Sequence, residues 1–356
     1  MSETYILVIV FVIQLIFSWL LHKFYYIKSS KYTLKKANPT GIRWSTQSKP
    51  VSGGITFYTM FILSVIGYTI FYNEHVSENT YFFPIVLIVT ISFFMGLADD
   101  IINTTPIFKF IVQVLSGIIL ISSGISIHLC QNEIINSIFT VIWIIGIMNS
   151  INMLDNMDAI TTITSIFILA GIAFLSFYTN LDFARFFLMI LLAVIASLIS
   201  FLFFNWNPSK LYMGDNGSQF LGSFLAVMAV IFLWNISGSD VLATGKQFVV
   251  VFSAFIIPIS DTFAVTINRL RKGKSPFVGG KDHTTHNLSY LGLNDKNIAR
   301  LYALLTLLGV TSSVIMVVVI EKWSYLHTIL FSIYPFIVLI TLYIITLNKK
   351  KQNEDH

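Results

Sequence analysis

Charge is what this chain has least of. Only 11% of its 356 residues are Asp, Glu, Lys or Arg, less than half the ~25% of a typical soluble domain. With 55% hydrophobic and 15% aromatic residues, neither a disordered chain nor an ordinary water-soluble fold fits. Cysteine is nearly absent: Cys130 stands alone, which excludes a disulfide framework and a cysteine-built zinc site. There is no low-complexity tract, no repeat of roughly 20–50 residues and no sign of two inverted halves. What remains is an integral membrane protein.

Charge-free length is what the chain has in abundance. Asp, Glu, Lys and Arg are missing from 4–22, 50–73, 79–98, 110–132, 134–154, 159–181, 186–209, 216–239, 301–320 and 323–348. Each stretch can cross a hydrocarbon layer of ~30 Å as a helix. An eleventh, 247–260, spans if it continues through Asp261 to Ile267. The expected fold is therefore all-α, a polytopic bundle of about eleven transmembrane helices in one domain, 1–356. With the N-terminus outside, nineteen basic residues fall on one side and only Arg185, Lys246 and Lys322 on the other. Because the positively charged side is cytoplasmic, the topology is N-out, C-in. The first span has an acidic flank, Glu3, and no small-residue cleavage site, so it reads as a retained anchor. The longest polar stretches, 23–54 and 268–300, and the tail 348–356 are then cytoplasmic.

The acids divide between the two sides. Glu3, Glu74, Glu78, Glu133, Asp182, Asp240 and Glu321 are scattered singly in outer loops as solvated charges. On the cytoplasmic side, Asp99-Asp100, Asp155 with Asp158, Asp215, Asp261 and Asp282 gather at helix ends. Charges at a membrane boundary are costly and usually face a cavity or a partner. Adjacent carboxylates such as Asp99 and Asp100 repel, and a cation or a basic side chain relieves them. Asn152, Asp155 and Asp158 follow at i, i+3, i+6, a spacing that suits a hard cation, a polar substrate or a self-capping helix end.

The segment Asn205-Trp206-Asn207-Pro208-Ser209-Lys210-Leu211-Tyr212-Met213-Gly214-Asp215-Asn216-Gly217-Ser218 is the most specific. A glycine-flanked acid at a helix start can hold Mg²⁺ while nearby amides meet phosphate. Further on, Arg269 to Lys274 leads into Ser275-Pro276-Phe277 and then Lys281-Asp282-His283-Thr284-Thr285-His286, which reads as an anion site more than a metal site. Four polar motifs on one membrane face point to Mg²⁺-assisted phosphoryl chemistry on an amphiphile. The competing class is a transporter or flippase with an acid-lined cytoplasmic cavity, which would place carboxylates near the bilayer midplane and often show repeat symmetry.

At these residues the sequence resembles the polyprenyl-phosphate N-acetylhexosamine-1-phosphate transferase family. Its motifs here are Lys49-Pro50-Val51-Ser52-Gly53-Gly54, Gly96 to Asp100, Asn152 to Asp158, Asn205 to Ser218 and Ser275 to His286. The resemblance implies transfer of a sugar-1-phosphate, GlcNAc-1-phosphate foremost, from a UDP-N-acetylhexosamine to undecaprenyl phosphate with release of UMP. This would be the first membrane step of a cell-envelope polysaccharide, such as O-antigen, lipopolysaccharide or teichoic acid, at the bacterial inner membrane. Mg²⁺, or Mn²⁺ in its place, is the implied cofactor. The implied partners are the two substrates and the bilayer; no nucleic acid is expected, and a homodimer is left open.

By the same resemblance, Asp215 and Asn152 are metal ligands, and Asp99, Asp100, Asp155 and Lys109 form the catalytic set. Tyr212 is placed to stack on uracil and Asp158 to accept from it, while Asn205, Lys49, His283 and His286 complete the substrate site. The chain departs from the family pattern in three places. Asn156 and Ala159 follow the acids where glycine is common, and Thr285 takes the middle of the histidine loop. Asp261 has no assigned role, and a structural pairing with Arg269 is the simplest expectation.

Overall fold

The computed structural model describes residues 3–30, 49–72, 76–179, 183–236, 241–276 and 279–347. The expected basic loop at 31–48, the tail 348–356, Glu74, Asp182, Asp240 and Phe277 lie outside the described residues. Among those described there are thirteen α-helices and no strand. They are α1 Glu3–Ser30, α2 Gly53–Phe71, α3 Phe82–Ile102, α4 Pro106–Ser122, α5 Glu133–Leu154, α6 Ile160–Thr179 and α7 Ala184–Asn205. After them come α8 Gly214–Ala229, α9 Val241–Ala254, α10 Ile256–Arg271, α11 Thr284–Tyr290, α12 Asp295–Val318 and α13 Tyr325–Leu347.

Among the described residues, nine helices are long and apolar enough to cross a membrane. With no water in the bilayer core, helices satisfy every backbone group internally, so the chain is a multi-pass helical membrane protein. The stretch 247–267 differs from its expected single span. It breaks into α9 and α10, bent by 83°. Pro258, the third residue of α10, has no N–H to offer the carbonyl of Ala254, so the α9 hydrogen-bond ladder cannot run on. The 110–132 stretch also shortens, to a 17-residue helix capped by Thr105 with Pro106 at its first position. Polar stretch 23–54 begins inside α1, which runs on to Ser30, and 268–300 contains the end of α10, all of α11 and the start of α12.

At the centre of the bundle, α8 from Asn216 onward and its one-turn π-helical continuation Val230–Trp234 are buried. Phe61 of α2 packs edge-on against Phe220 and Phe224 of α8, and Phe57 meets Phe220 at a tilt. Without a hydrophobic force between helices in lipid, close approach depends on small residues. A Cβ on Gly54 would strike Asn216 and Gly217, and one on Gly96 would strike the backbone of Asp215 and Asn216. Glycine at these two positions lets α2 and α3 dock directly on the start of α8. That docking sets the position of the acids.

Candidate active site

The end of α3 and the start of α8 build the acidic wall. Asp99 accepts from the Thr104 amide at 2.9 Å and its hydroxyl at 2.6 Å, and pairs with Lys109 Nζ of α4 at 2.5 Å. Lys109 Nζ also reaches Asp215 Oδ2 at 3.0 Å, so one ammonium joins two carboxylates from different helices. Basic side-chain relief of the Asp99-Asp100 repulsion is thus met by Lys109. Asp100 has a different task. It accepts from the Asp215 amide at 3.0 Å, the Asn216 amide at 2.9 Å and the Asn216 side chain at 2.5 Å. A carboxylate on the first free N–H groups of a helix is a cap favoured by the helix dipole. Asn152 of α5 donates to Asp215 Oδ1 at 3.1 Å and to Ser218 at 2.8 Å. Four helices therefore fix Asp215.

The second wall follows α5. Asp158 accepts from Asn207 at 3.2 Å and from the Ser209 amide and hydroxyl at 3.0 and 2.7 Å. Lys49 Nζ donates to Ser209 at 3.0 Å and lies 5.1 Å from the Tyr212 ring centre. The Lys49–Gly54 segment is held there because the Tyr212 carbonyl accepts from the Ser52 and Gly53 amides, while its own amide donates to Pro50. Asn205, expected to bind substrate, already has its polar atoms engaged. Its Oδ1 accepts from the Ala159 amide and the Thr162 hydroxyl, and its Nδ2 donates to the Leu211 carbonyl. That grip holds Ala159 at φ 69°, the left-handed region where glycine is the easy residue.

The third wall is α11 and its approach. Asp261 does not pair with Arg269 as expected. It accepts from His283 Nδ1 at 2.8 Å and from the Thr284 amide and hydroxyl, because the chain reversal after α10 brings α11 back against it. Arg269 instead forms a two-pronged pair with Asp282 at 2.8 and 2.6 Å. Burial works against the Asp282 carboxylate, but Arg269 overcomes it and holds the group below the ordinary range. The His283 and His286 rings meet edge-on at 5.3 Å. Burial, reinforced by His283, pulls His286 down to about 3, so its imidazole is neutral at physiological pH. Thr285 turns away and donates to Asn156 Oδ1 at 2.6 Å.

These walls enclose one cavity of about 950 Å³. Every candidate residue of the sequence except Asp99 lines it, and Asp99 stands behind Lys109. Polar lining residues outside the sequence motifs include Asp295, Gln113 and Asn149, and Asn207, inside its motif, had no role of its own. Asn207 donates to both Asp158 and Asp295, but an Asn294-Asp295 pair opening a helix reads in sequence only as a cap. Burial, then the charges of Asp215, Asp100 and Asp158, push Asp155 up to about 7. Among the described residues no three His, Cys, Asp or Glu side chains converge as a metal cage. The Asp215 carboxylate supplies hard oxygens, and the Asn152 side chain beside it, now in contact through Nδ2, carries one more. One or two hard oxygens completed by substrate phosphates and water are what Mg²⁺ ordinarily takes, so this donor set fits it.

Comparison with known proteins finds similarity over part of the chain. The sequence model of the family described as glycosyl transferase family 4 matches residues 82–233, from the start of α3 to the end of the central helix. A probable undecaprenyl-phosphate N-acetylglucosaminyl 1-phosphate transferase of Bacillus subtilis is 26% identical over 253 residues, 69% of this chain and 67% of that protein. A decaprenyl-phosphate N-acetylglucosaminephosphotransferase of Mycobacterium leprae is 30% identical over 110 residues, 30% of this chain and 28% of its own length. A phospho-N-acetylmuramoyl-pentapeptide-transferase of Lactococcus lactis is 48% identical over 44 residues, 12% of this chain and 13% of its own. Against the mycobacterial and lactococcal proteins the chain thus spans less than a third of the relative. Over residues 82–233, where its acids, amides and helix-start aspartate meet, the chain is similar to glycosyl transferase family 4.

Proposed function

We propose that the protein transfers an N-acetylhexosamine-1-phosphate, GlcNAc-1-phosphate foremost, from a UDP-sugar to undecaprenyl phosphate and releases UMP. The step would open synthesis of a cell-envelope polysaccharide at the cytoplasmic face of a bacterial inner membrane. One observation carries the reading: Lys109, Asp215, Asn152, Lys49, Tyr212, Asp158 and the two histidines, brought from separate elements, line a single cavity.

In the reaction an oxygen of the lipid phosphate bonds to the sugar-linked phosphorus. The bond from that phosphorus to the UMP oxygen breaks, and UMP leaves. Lys109 offsets phosphate charge, and Asp99 acts by holding its ammonium in place. Asp100 aims Asp215 by capping α8, while Asn152 fixes the Asp215 carboxylate from the side. Tyr212 with Lys49 above its ring provides a surface for the nucleobase, and Asp158 is held beside it by Ser209 and Asn207. His283 and neutral His286 offer hydrogen bonds to the diphosphate or sugar. Asp155 can hold or release a proton near neutrality. Asp215 and Asn152 would hold Mg²⁺, which supplies charge neutralisation on the diphosphate. A lipid phosphate is already ionised near neutral pH, so placement contributes more here than a strong base.

Purified protein in detergent, given undecaprenyl phosphate, Mg²⁺ and a panel of UDP-N-acetylhexosamines, tests this. UMP release that needs the lipid, the metal and Asp215 (lost in Asp215→Ala) is the expected result. No release with any donor, from folded protein, contradicts it.

A further inference from the structure

Asn156 and Thr285 lie 129 residues apart and meet in a 2.6 Å hydrogen bond. Thr285 is fully buried, and a buried hydroxyl needs a partner. It donates to Asn156 Oδ1, and Asn156 Nδ2 donates in turn to the Met153 carbonyl at 3.0 Å. The carboxamide is thus used on both sides, once to close its own turn and once to tie that turn to α11. Residues on either side of the bond line the cavity: Asp155, Met157 and Asp158 next to Asn156, and His283 and His286 around Thr285.

The two ends of this bond are not equally anchored. On one side α11 is fastened to α10 and α12, because Thr284 bonds Asp261 and the Tyr302 hydroxyl while His283 bonds Asp261. The far half of the 155–159 turn is also fastened, through Asp158 to Ser209 and through Ala159 to Asn205. Its near half, Asp155 to Met157, is tied to α11 through Asn156, and its other side-chain bond, from the Thr161 hydroxyl to Asp155, leads only into α6, the helix that follows the turn. We propose that Thr285 is a positioning residue that sets the Asp155–Met157 half of the turn through Asn156, the pair acting as one unit to shape the nucleotide end of the cavity. The part of this that concerns the nucleotide rests on the function proposed above.

The test uses the full chain in detergent, with Thr285→Val, Thr285→Ser, Asn156→Ala and the Thr285→Val/Asn156→Ala double variant. Amide hydrogen exchange reports on the turn without any need for activity. Exchange at 155–157 rises in Thr285→Val and not in Thr285→Ser, while Ala159 stays protected. In the UMP-release assay the KM for the UDP-sugar rises on the order of tenfold in either single loss. The KM for undecaprenyl phosphate stays unchanged, Thr285→Ser restores the donor KM, and the double variant is no worse than either single one. Additive effects, equal shifts in both KM values, or unchanged exchange at 155–157 overturn the proposal. If the wild type releases no UMP, the functional reading fails, and hydrogen exchange still decides whether the pair sets the turn.

Discussion

Substituting Gly96→Ala puts one methyl group where α3 rests on the start of α8. The added Cβ would lie 2.6 Å from the Asp215 carbonyl carbon and 2.7 Å from Asn216 Cα, and closer still to the Asp215 carbonyl oxygen. Carbon atoms rest at about 3.5–4.0 Å, so the two backbones must separate by about 1 Å. All three obstructing atoms are backbone, and no side chain can swing aside to relieve them. The separation opens the interface that carries the Asp100 cap on Asp215 and Asn216, bonds that now measure 3.0 and 2.9 Å. A shift of that size takes them past normal hydrogen-bond length. Overpacking of this kind costs about 1–3 kcal/mol of stability, and a 1 Å misplacement of a reacting group can cost on the order of a hundredfold in rate. Initial rates of UMP release, with thermal unfolding followed on the same preparations, measure both quantities. Gly67→Ala is the control, since its Cβ would meet only the flexible end of Met189 at an ordinary 3.5 Å. If Gly96→Ala turns over like Gly67→Ala, the acids are not set by glycine docking and the reasoning fails.

Three further outcomes follow from the same geometry. Asp100→Ala exposes two helix-start amides and lowers stability by about 0.5–2 kcal/mol, while Asp100→Asn, which keeps one acceptor, loses less; thermal unfolding ranks them. Asn205→Ala leaves the Ala159 amide and the Leu211 carbonyl without their partner, so it lowers stability by about 1–3 kcal/mol, which thermal unfolding measures. The pH dependence of stability isolates Asp155. Its pKa rises from 3.8 to about 7 on folding, so the proton it binds in the folded state stabilises fully below about 4 and is lost as pH rises through 7. Stability of the wild type therefore falls between pH 4 and 7 more than that of Asp155→Asn, and chemical unfolding at several pH values checks this.

Much of the site could be read from the sequence because membrane chains are sparing with charge. An acid at the end of an apolar run needs a reason, and Asp99, Asp155 and Asp215 each stood at such an end. The glycines around Asp215 and the acid spacing after Asn152 were legible as local pattern. Roles set by distant partners were not. Nothing near Asp100 in sequence shows that it caps a helix starting 114 residues later, or that Asn205 spends its carboxamide on Ala159 and Leu211. The bend between α9 and α10 was hidden for a related reason: counting charges finds apolar length, while Pro258 acts through one missing N–H. The partner of Asp261 is likewise not legible locally: Arg269 is the nearer cation in sequence, yet the returning α11 brings His283 and Thr284 to it.

The most direct measurement is the mass of the lipid after reaction. Purified protein is incubated with undecaprenyl phosphate, Mg²⁺ and UDP-GlcNAc, and the extracted lipid is weighed by mass spectrometry. The account predicts a lipid heavier by one N-acetylhexosamine phosphate, formed with one UMP and absent with Asp215→Ala. An unchanged lipid, from folded protein that moves labelled lipid across a sealed vesicle instead, would contradict the transferase and establish a transporter.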